Sequence, residues 1–354
     1  MFKKILVPLD GSAIAAAALS HVMAVTQKHQ ASITLLRVME SSPSDASVVN
    51  PTDWQLQRTE ANTYLDELVA HCASSCEAEV EKVVQEGPAA DRILEQAQER
   101  KHDLIVISSH GRSGLSEWNV SSVAHKVINR AGVSILLVRA YRSPEAPEVG
   151  PIHPFRYRRI LVPLDGSLRS EHVLPVATRL AQEHDAKLML IHGVATPEMF
   201  QQTPLSAEHS ALVDRVIEHN KQQAEQYFEE LSQRLDVASE TIVVVSDDVL
   251  AALHRVVEEK DIDLVILSAH GRSGEHAWRY GGLTSGFITY GTSHLLIIQD
   301  APWRGYEESK AEQAVRLGKA DSMRKVETYA TPLENGHSTI YNPFATRRGD
   351  RRIY

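Results

Sequence analysis

Cysteine is nearly absent: two residues in 354. That excludes a disulfide scaffold and fits a reducing compartment. Aromatic residues make up 6% of the chain, and its Lys/Arg pairs come without the aromatic platform on which single-stranded nucleic acid stacks. Positive charge is in deficit as well. The net charge of −9 opposes non-specific attraction to nucleic acid or anionic membrane. No apolar run approaches the roughly 18–20 residues that cross a bilayer. The opening MFKKILVPLDGS does not read as a secretory signal, because its apolar stretch stops at Pro8 and Asp10. A phosphate-gripping GxxxxGK[ST] loop, a GxSxG nucleophile elbow and an SGGxDS-type loop are all missing, which argues against an enzyme. What is present, 43% hydrophobic and 23% charged residues, is ordinary for globular domains. The length suggests two of them. The expectation is a soluble, cytoplasmic, two-domain protein.

The most informative feature is a repeat. ILVPLDGS occurs at 5–12 and again at 160–167, and HGRSG at 110–114 and 270–274, in the same order and at similar separation. The chain is therefore a duplication of one unit, and each copy is long enough to fold by itself. In the first copy short apolar runs alternate with amphipathic stretches. Strands are predicted at 4–9, 32–39, 80–85, 103–108 and 134–139, with helices at 13–28, 54–77, 89–100 and 116–130. The second copy predicts strands at 159–164, 187–192, 241–245, 263–268 and 294–299. Its helices fall at 168–184, 206–235, 250–260 and 275–290. Such alternation specifies parallel sheets covered on both faces, the doubly wound α/β class.

Four prolines in 142–158 read as a stiff linker. The expected organisation is a first domain at 1–141, a linker at 142–157, a second domain at 158–300 and an extension at 301–354. From residue 303 onward the chain carries a net charge of +3, against −12 for the rest. That describes a solvated tail, or one that docks on the acidic body or on a partner. Cys72 and Cys76, four apart on one helix beside His71, suit neither a disulfide nor a four-ligand zinc site; no metal is expected.

Both repeated strings fall at the carboxyl ends of strands, PLDGS after the first and SxHGRSG after the fourth. In an open parallel sheet that is where ligands bind. Small residues leading into a helix N-terminus offer free backbone N–H groups to a phosphate, and Arg112 and Arg272 add charge. Asp10 and Asp165 suit a ribose or base edge. The same Asp-Gly-Ser is equally a turn and helix cap, and His110 and His270 suit orienting their loop better than catalysis.

ILVPLDGS, SSHGRSG and SSVAHKVINRAGVSILLVR together resemble the universal stress protein family, over 1–140 and 158–299. The resemblance implies a five-stranded parallel sheet of order 3-2-1-4-5 in each half, cytoplasmic stress-related roles and, in one subset, ATP binding. That subset carries G-x2-G-x9-G-[ST] after the fourth strand. The matching positions here are Ser108, Gly111, Ser121 and Ser122, and in the second half Ser268, Gly271, Gly281 and Gly282. Neither half matches fully. The resemblance also assigns Pro8, Leu9, Asp10 and Val38 to the adenosine. To the loop and phosphates it assigns His110, Arg112, Gly114 and Val123, with Pro163, Asp165 and His270 as counterparts in the second half. Gly193 replaces Val38, and glycines weaken the helix after the second loop, so the first half is expected to be the better site. Family members that dimerise suggest an intramolecular pseudo-dimer here, seamed along the fifth strands, and a possible homodimer. The alternative is a scaffold of the same fold that has lost nucleotide binding and acts through a protein partner.

Overall fold

The computed structural model describes residues 1–26, 30–40, 51–74, 78–112, 120–140, 152–197, 207–272 and 279–299, without the side chains of 51 and 207–209. The first half contributes β1 (Lys4–Leu9), α1 (Ala13–Ala16), α2 (Ala18–Thr26), β2 (Ser32–Met39), α3 (Pro51–Ala73), β3 (Glu79–Glu86), α4 (Ala89–Glu99), β4 (Leu104–Ser108), α5 (Ser122–Arg130) and β5 (Ser134–Val138). The second repeats it: β6 (Arg159–Pro163), α6 (Leu168–Glu171), α7 (Leu174–His184), β7 (Lys187–Ala195), α8 (Ala207–Arg234), β8 (Ser239–Ser246), α9 (Val249–Glu259), β9 (Leu264–Ser268), α10 (Gly282–Tyr290) and β10 (His294–Ile298).

The strands form one sheet of ten, ordered β3-β2-β1-β4-β5-β10-β9-β6-β7-β8. Pairing within each half is parallel, and the first half has the order 3-2-1-4-5. The halves meet where β5 and β10 pair antiparallel, Ile135 opposite Ile297 and Leu137 opposite Leu295. β1, β4, β5 and their counterparts are buried on both faces, hence their unbroken apolar runs. One face packs under α2, α3, α7 and α8, through residues such as Leu19, Leu65, Leu180 and Phe228. The other packs under α4, α5, α9 and α10, through Ile93, Val127, Leu253 and Phe287. Cys72 is buried in the first of these layers, while Cys76 lies outside the described residues.

Several predicted boundaries move. The helix expected at 116–130 begins at Ser122, because Ser121 in extended conformation caps it. Its counterpart begins at Gly282 rather than 275. Two long predicted helices each break in two near their fourth residue. In α7 the cause is local: Pro175, in the first turn, has no N–H to donate to the preceding turn. α1 and α2 break at the corresponding place, at Ala17, without a proline.

The end of the proline-rich segment is part of the core. Ile152 and Tyr157 are buried, the Phe155 amide donates to Ser20 O at 2.8 Å, and the Phe155 ring stacks on His21 at 4.3 Å. Tyr157 Oη lies 2.9 Å from His21 Nδ1. Across the β5–β10 seam, the Arg139 guanidinium is fully buried. Its Nη2 donates to Phe287 O at 2.8 Å and Ile288 O at 3.0 Å, carbonyls of the last turn of α10. In return Tyr280 Oη donates to Ile128 O of α5 at 2.7 Å. Each half thus satisfies helix-end carbonyls of the other.

Candidate functional site

At the carboxyl end of β1 the chain turns through Asp10, Gly11 and Ser12. Asp10 Oδ1 accepts from the Ser12 amide at 3.0 Å and the Ser12 hydroxyl at 2.6 Å. Ser12 Oγ in turn accepts from the Ala15 amide, capping α1. Asp10 Oδ2 accepts from the Arg112 backbone amide in the loop after β4. The second half reproduces this: Asp165 takes Ser167 N–H and O–H on one oxygen and the Arg272 amide, at 2.5 Å, on the other. Burial alone would raise the Asp165 carboxyl; the hydrogen bonds from Ser167, Arg272 and Ser170 outweigh it and hold the group below the usual carboxylate range. Gly111 and Gly271 are where these carboxylates press. A Cβ at either would overlap the aspartate Oδ2. Both aspartates, read from the sequence as ribose or base acceptors or as turn residues, act here as clamps that join the β1 and β4 loops and their counterparts.

Ser108 and Ser268 end β4 and β9. Both are buried, and neither hydroxyl has a hydrogen-bond partner among the described residues. The next residue carries the loop: Ser109 N donates to Val138 O, Ser109 Oγ accepts from the Ala140 amide and lies 3.0 Å from His110 Nδ1, and Ser109 O accepts from Ser121 N at 2.7 Å. Ala269 keeps the backbone half of this pattern, accepting from Gly281 N at 2.9 Å, and lacks the hydroxyl. His110 is buried beside this network; His270 is half-buried.

The two helix N-termini have nearly the same backbone, Ser121 at φ −63°, ψ 158° and Gly281 at φ −65°, ψ 162°. Their chemistry differs. Ser121 Oγ accepts from Ala124 N at 3.3 Å, whereas α10 has no side-chain cap. A Cβ at Gly281 would meet nothing closer than 3.8 Å and one at Gly282 nothing within 4 Å. The amides of Ser121 and Gly281 are already used, so among the described residues the free donors are those of Ser122 and Val123, and of Gly282, Leu283 and Thr284.

The remaining positions line the same sheet end. Pro8 and Leu9 close β1 beside Leu36 and Arg37, and Pro163 ends β6 beside Ile191. Val38 is half-buried. At Gly193 a Cβ would stand 2.2 Å from Cγ1 of Val249, so a valine methyl reaches this wall from α9 instead of from β7. Val38 and Ala89, the first residue of α4, are the first-half positions that correspond to Gly193 and Val249. The missing apolar contact expected at Gly193 is thus supplied from elsewhere, and α10 spans nine residues like α5 despite its glycines. Gly114 lies outside the described residues.

Arg37 and Tyr64 escaped the sequence reading. Arg37 interrupts the apolar run of β2, a signal that was available; its Nη1 donates to Leu9 O at 3.3 Å. Tyr64 on α3 is one aromatic on a long helix and carries no such mark.

A model described as the universal stress protein family matches residues 1–139 and 156–298. The chain belongs to that family. The universal stress protein YxiE of Bacillus subtilis is 32% identical over 149 residues, 39% of this chain and 100% of its own length. A universal stress protein of Methanocaldococcus jannaschii is 29% identical over 143 residues, 39% of this chain and 83% of its own. Among solved structures, a universal stress protein from Archaeoglobus fulgidus covers 84% of this chain and 98% of its own, with a TM-score of 0.56 and 16% identity, a likeness of fold. Among the described residues no helix is long and apolar enough to cross a membrane, and no cluster of three or more His, Cys, Asp or Glu could hold a metal ion.

Proposed function

We propose that this tandem universal stress protein binds ATP or a related adenine nucleotide without turning it over, as part of stress adaptation in the cytoplasm, its two halves acting as an intramolecular pseudo-dimer. The carrying observation is the pair of helix N-termini held by backbone hydrogen bonds against the ends of β4 and β9, with free amides and, at Gly281 and Gly282, room for close backbone approach. The buried, unpartnered hydroxyls of Ser108 and Ser268 fit a site with more polar capacity than the protein uses.

Phosphates would sit on the amides of Ser122 and Val123, or of Gly282 and Leu283. The adenosine would lie along Pro8–Asp10 and Val38, or along Pro163–Asp165 and the Gly193–Val249 wall. Asp10 and Asp165 position the loops. Bound nucleotide supplies the polyphosphate charge that the helix ends favour. The second half is the more open cradle, since its helix is uncapped and its apolar wall is intact.

The test is mass spectrometry of small molecules released by denaturing gently purified protein, followed by calorimetry with ATP. An adenine nucleotide is expected, its retention reduced by Gly281→Asp, which sets like charge beside phosphate. Absence of released nucleotide together with no calorimetric response to millimolar ATP would replace this reading with the scaffold one.

A further inference from the structure

The duplication supplies an internal control for the turn after the first strand of each half. In the second half Tyr227 on α8 donates its hydroxyl to Glu171 Oε1 at 3.0 Å, and Arg234 Nη2 stands 3.3 Å from Glu171 Oε2. Glu171, on α6, is the anion on this side of the Asp165 turn. One guanidinium faces the turn: Arg272 Nη2 is 3.6 Å from the point a Cβ on Gly166 would occupy. On β7 the residue beside the turn is His192, whose Nδ1 lies 2.8 Å from Leu164 O.

The first half keeps the frame and loses the acid. Counting from the aspartate of each turn, Ala16 stands where Glu171 does. Tyr64 takes the place of Tyr227, and its buried hydroxyl has no hydrogen-bond partner among the described residues. Arg37 replaces His192 and bonds Leu9 O as His192 bonds Leu164 O. Two guanidiniums therefore converge. Arg37 Nη2 lies 3.4 Å and Arg112 Nη2 3.5 Å from the same point, the Cβ position that Gly11 leaves empty. Gly11 sits at φ +83°, so the space stays open for a backbone reason as well. The two nitrogens are within about 7 Å of each other, a span that one tetrahedral oxyanion bridges with hydrogen bonds of ordinary length. The nearby acid, Asp10, already accepts three hydrogen bonds. Burial, and then the charge of Arg112, lower the Arg37 pKa against the opposing pull of Asp10. Burial, with Asp10 next, pushes the Tyr64 hydroxyl up to about 12, so it remains a donor at neutral pH.

We infer that the first half carries an oxyanion site at the Gly11 turn, built from Arg37, Arg112 and the Tyr64 hydroxyl, in which a phosphoryl group takes the place that the Glu171 carboxylate holds in the second half. Two guanidiniums match a dianion better than a single carboxylate, and Arg binds phosphoryl oxygens with directed hydrogen bonds. Arg112 belongs to the loop read above as a phosphate loop; the other two groups stand apart from the proposed nucleotide phosphates. Arg37 lies on the sheet face of Ile33 and Leu35, under α2 and α3, whereas Val38 and the α5 N-terminus belong to the opposite face.

The test is calorimetric titration of the full chain with inorganic phosphate at low ionic strength. Saturable binding near one equivalent is expected, unchanged by Ser121→Asp, weakened about tenfold by Tyr64→Phe or by Arg37→His, and abolished by Ala16→Glu, which supplies the internal carboxylate. Should Ala16→Glu not fold, Arg37→His carries the test with a residue the other half already uses. Competition by glycerol phosphate would assign the ligand as a phosphate ester, and phosphate binding without such competition would assign free phosphate; both support the site. No saturable phosphate binding, or binding lost in Ser121→Asp and kept in Arg37→His, would overturn it, whatever the outcome with ATP.

Discussion

Gly193 and Val249 should behave as a compensated pair. Valine at 193 would place its Cβ 2.2 Å from Cγ1 of Val249 and 3.3 Å from that residue's Cβ. Val249 opens α9 with a β-branched side chain that is stiff at χ1, so it does not swing aside freely. Overpacking of this kind costs about 1–3 kcal/mol, of which about 0.5–1 kcal/mol returns because glycine in a strand interior is itself destabilising. Val249→Ala alone removes two methyl groups from a partly exposed site, a loss of about 0.5–1.5 kcal/mol. The double variant rebuilds the arrangement of Val38 and Ala89 in the first half, and its stability should return to within about 0.5 kcal/mol of the parent. Urea unfolding of the four proteins measures the cycle. A coupling energy of about 1–3 kcal/mol is expected. If the two single effects simply add, the pair is not compensated and the equivalence of the two walls falls with it.

Replacing Arg139 with leucine should leave Ile288 O without this donor and Phe287 O with only the Gly291 amide, at about 1–3 kcal/mol for a carbonyl left unpaired. Urea unfolding should register it, and a loss below about 0.5 kcal/mol would mean that α10 does not depend on the guanidinium. Acid sensitivity should arise at the junction of the halves. Burial, and then the charge of His294, hold His21 well below the usual histidine range, so the unfolded chain takes up this proton first. Stability should fall as pH drops below about 6.5, with a limiting slope near 1.4 kcal/mol per pH unit for the one group. Asp165, shifted down, keeps its contribution there and loses it only as pH falls through its own lowered value. His21→Asn should reduce the fall of the unfolding midpoint between about pH 7.5 and 5.5, leaving the part that His102 and His254, also lowered by burial, contribute; an unchanged pH dependence would place the sensitive group elsewhere.

Strand positions were legible because burial on both faces leaves a mark that needs no partner: unbroken apolar runs such as LIVIS and SILLV, closed by turn residues. Helix starts were less legible. The start of α5 at Ser122 depends on the Ser121 amide reaching Ser109 O across the loop, a long-range bond with no local signature. At the candidate site, the glycines and the Asp-Gly-Ser turns were visible as motifs, but their roles were not. Asp10 is a clamp because Arg112, 102 positions away, brings its amide to the carboxylate. Gly193 looked like a lost contact until Val249 was seen to fill it.

The sequence by itself determined the duplication, the α/β class with its parallel strands, and the strand ends at which the repeated motifs fall, since periodicity, turn chemistry and repeated strings are local properties of the chain; the strand order came from the resemblance. Tertiary structure decided the rest. It joined β5 to β10 in one antiparallel register, packed Ile152, Phe155 and Tyr157 against the core, and brought Glu171 to Tyr227 in one half while the Tyr64 hydroxyl of the other has no partner among the described residues. Those outcomes depend on which distant groups share a space, and the energy of a charge or a buried polar atom is set by its neighbours in space, not by its neighbours in sequence.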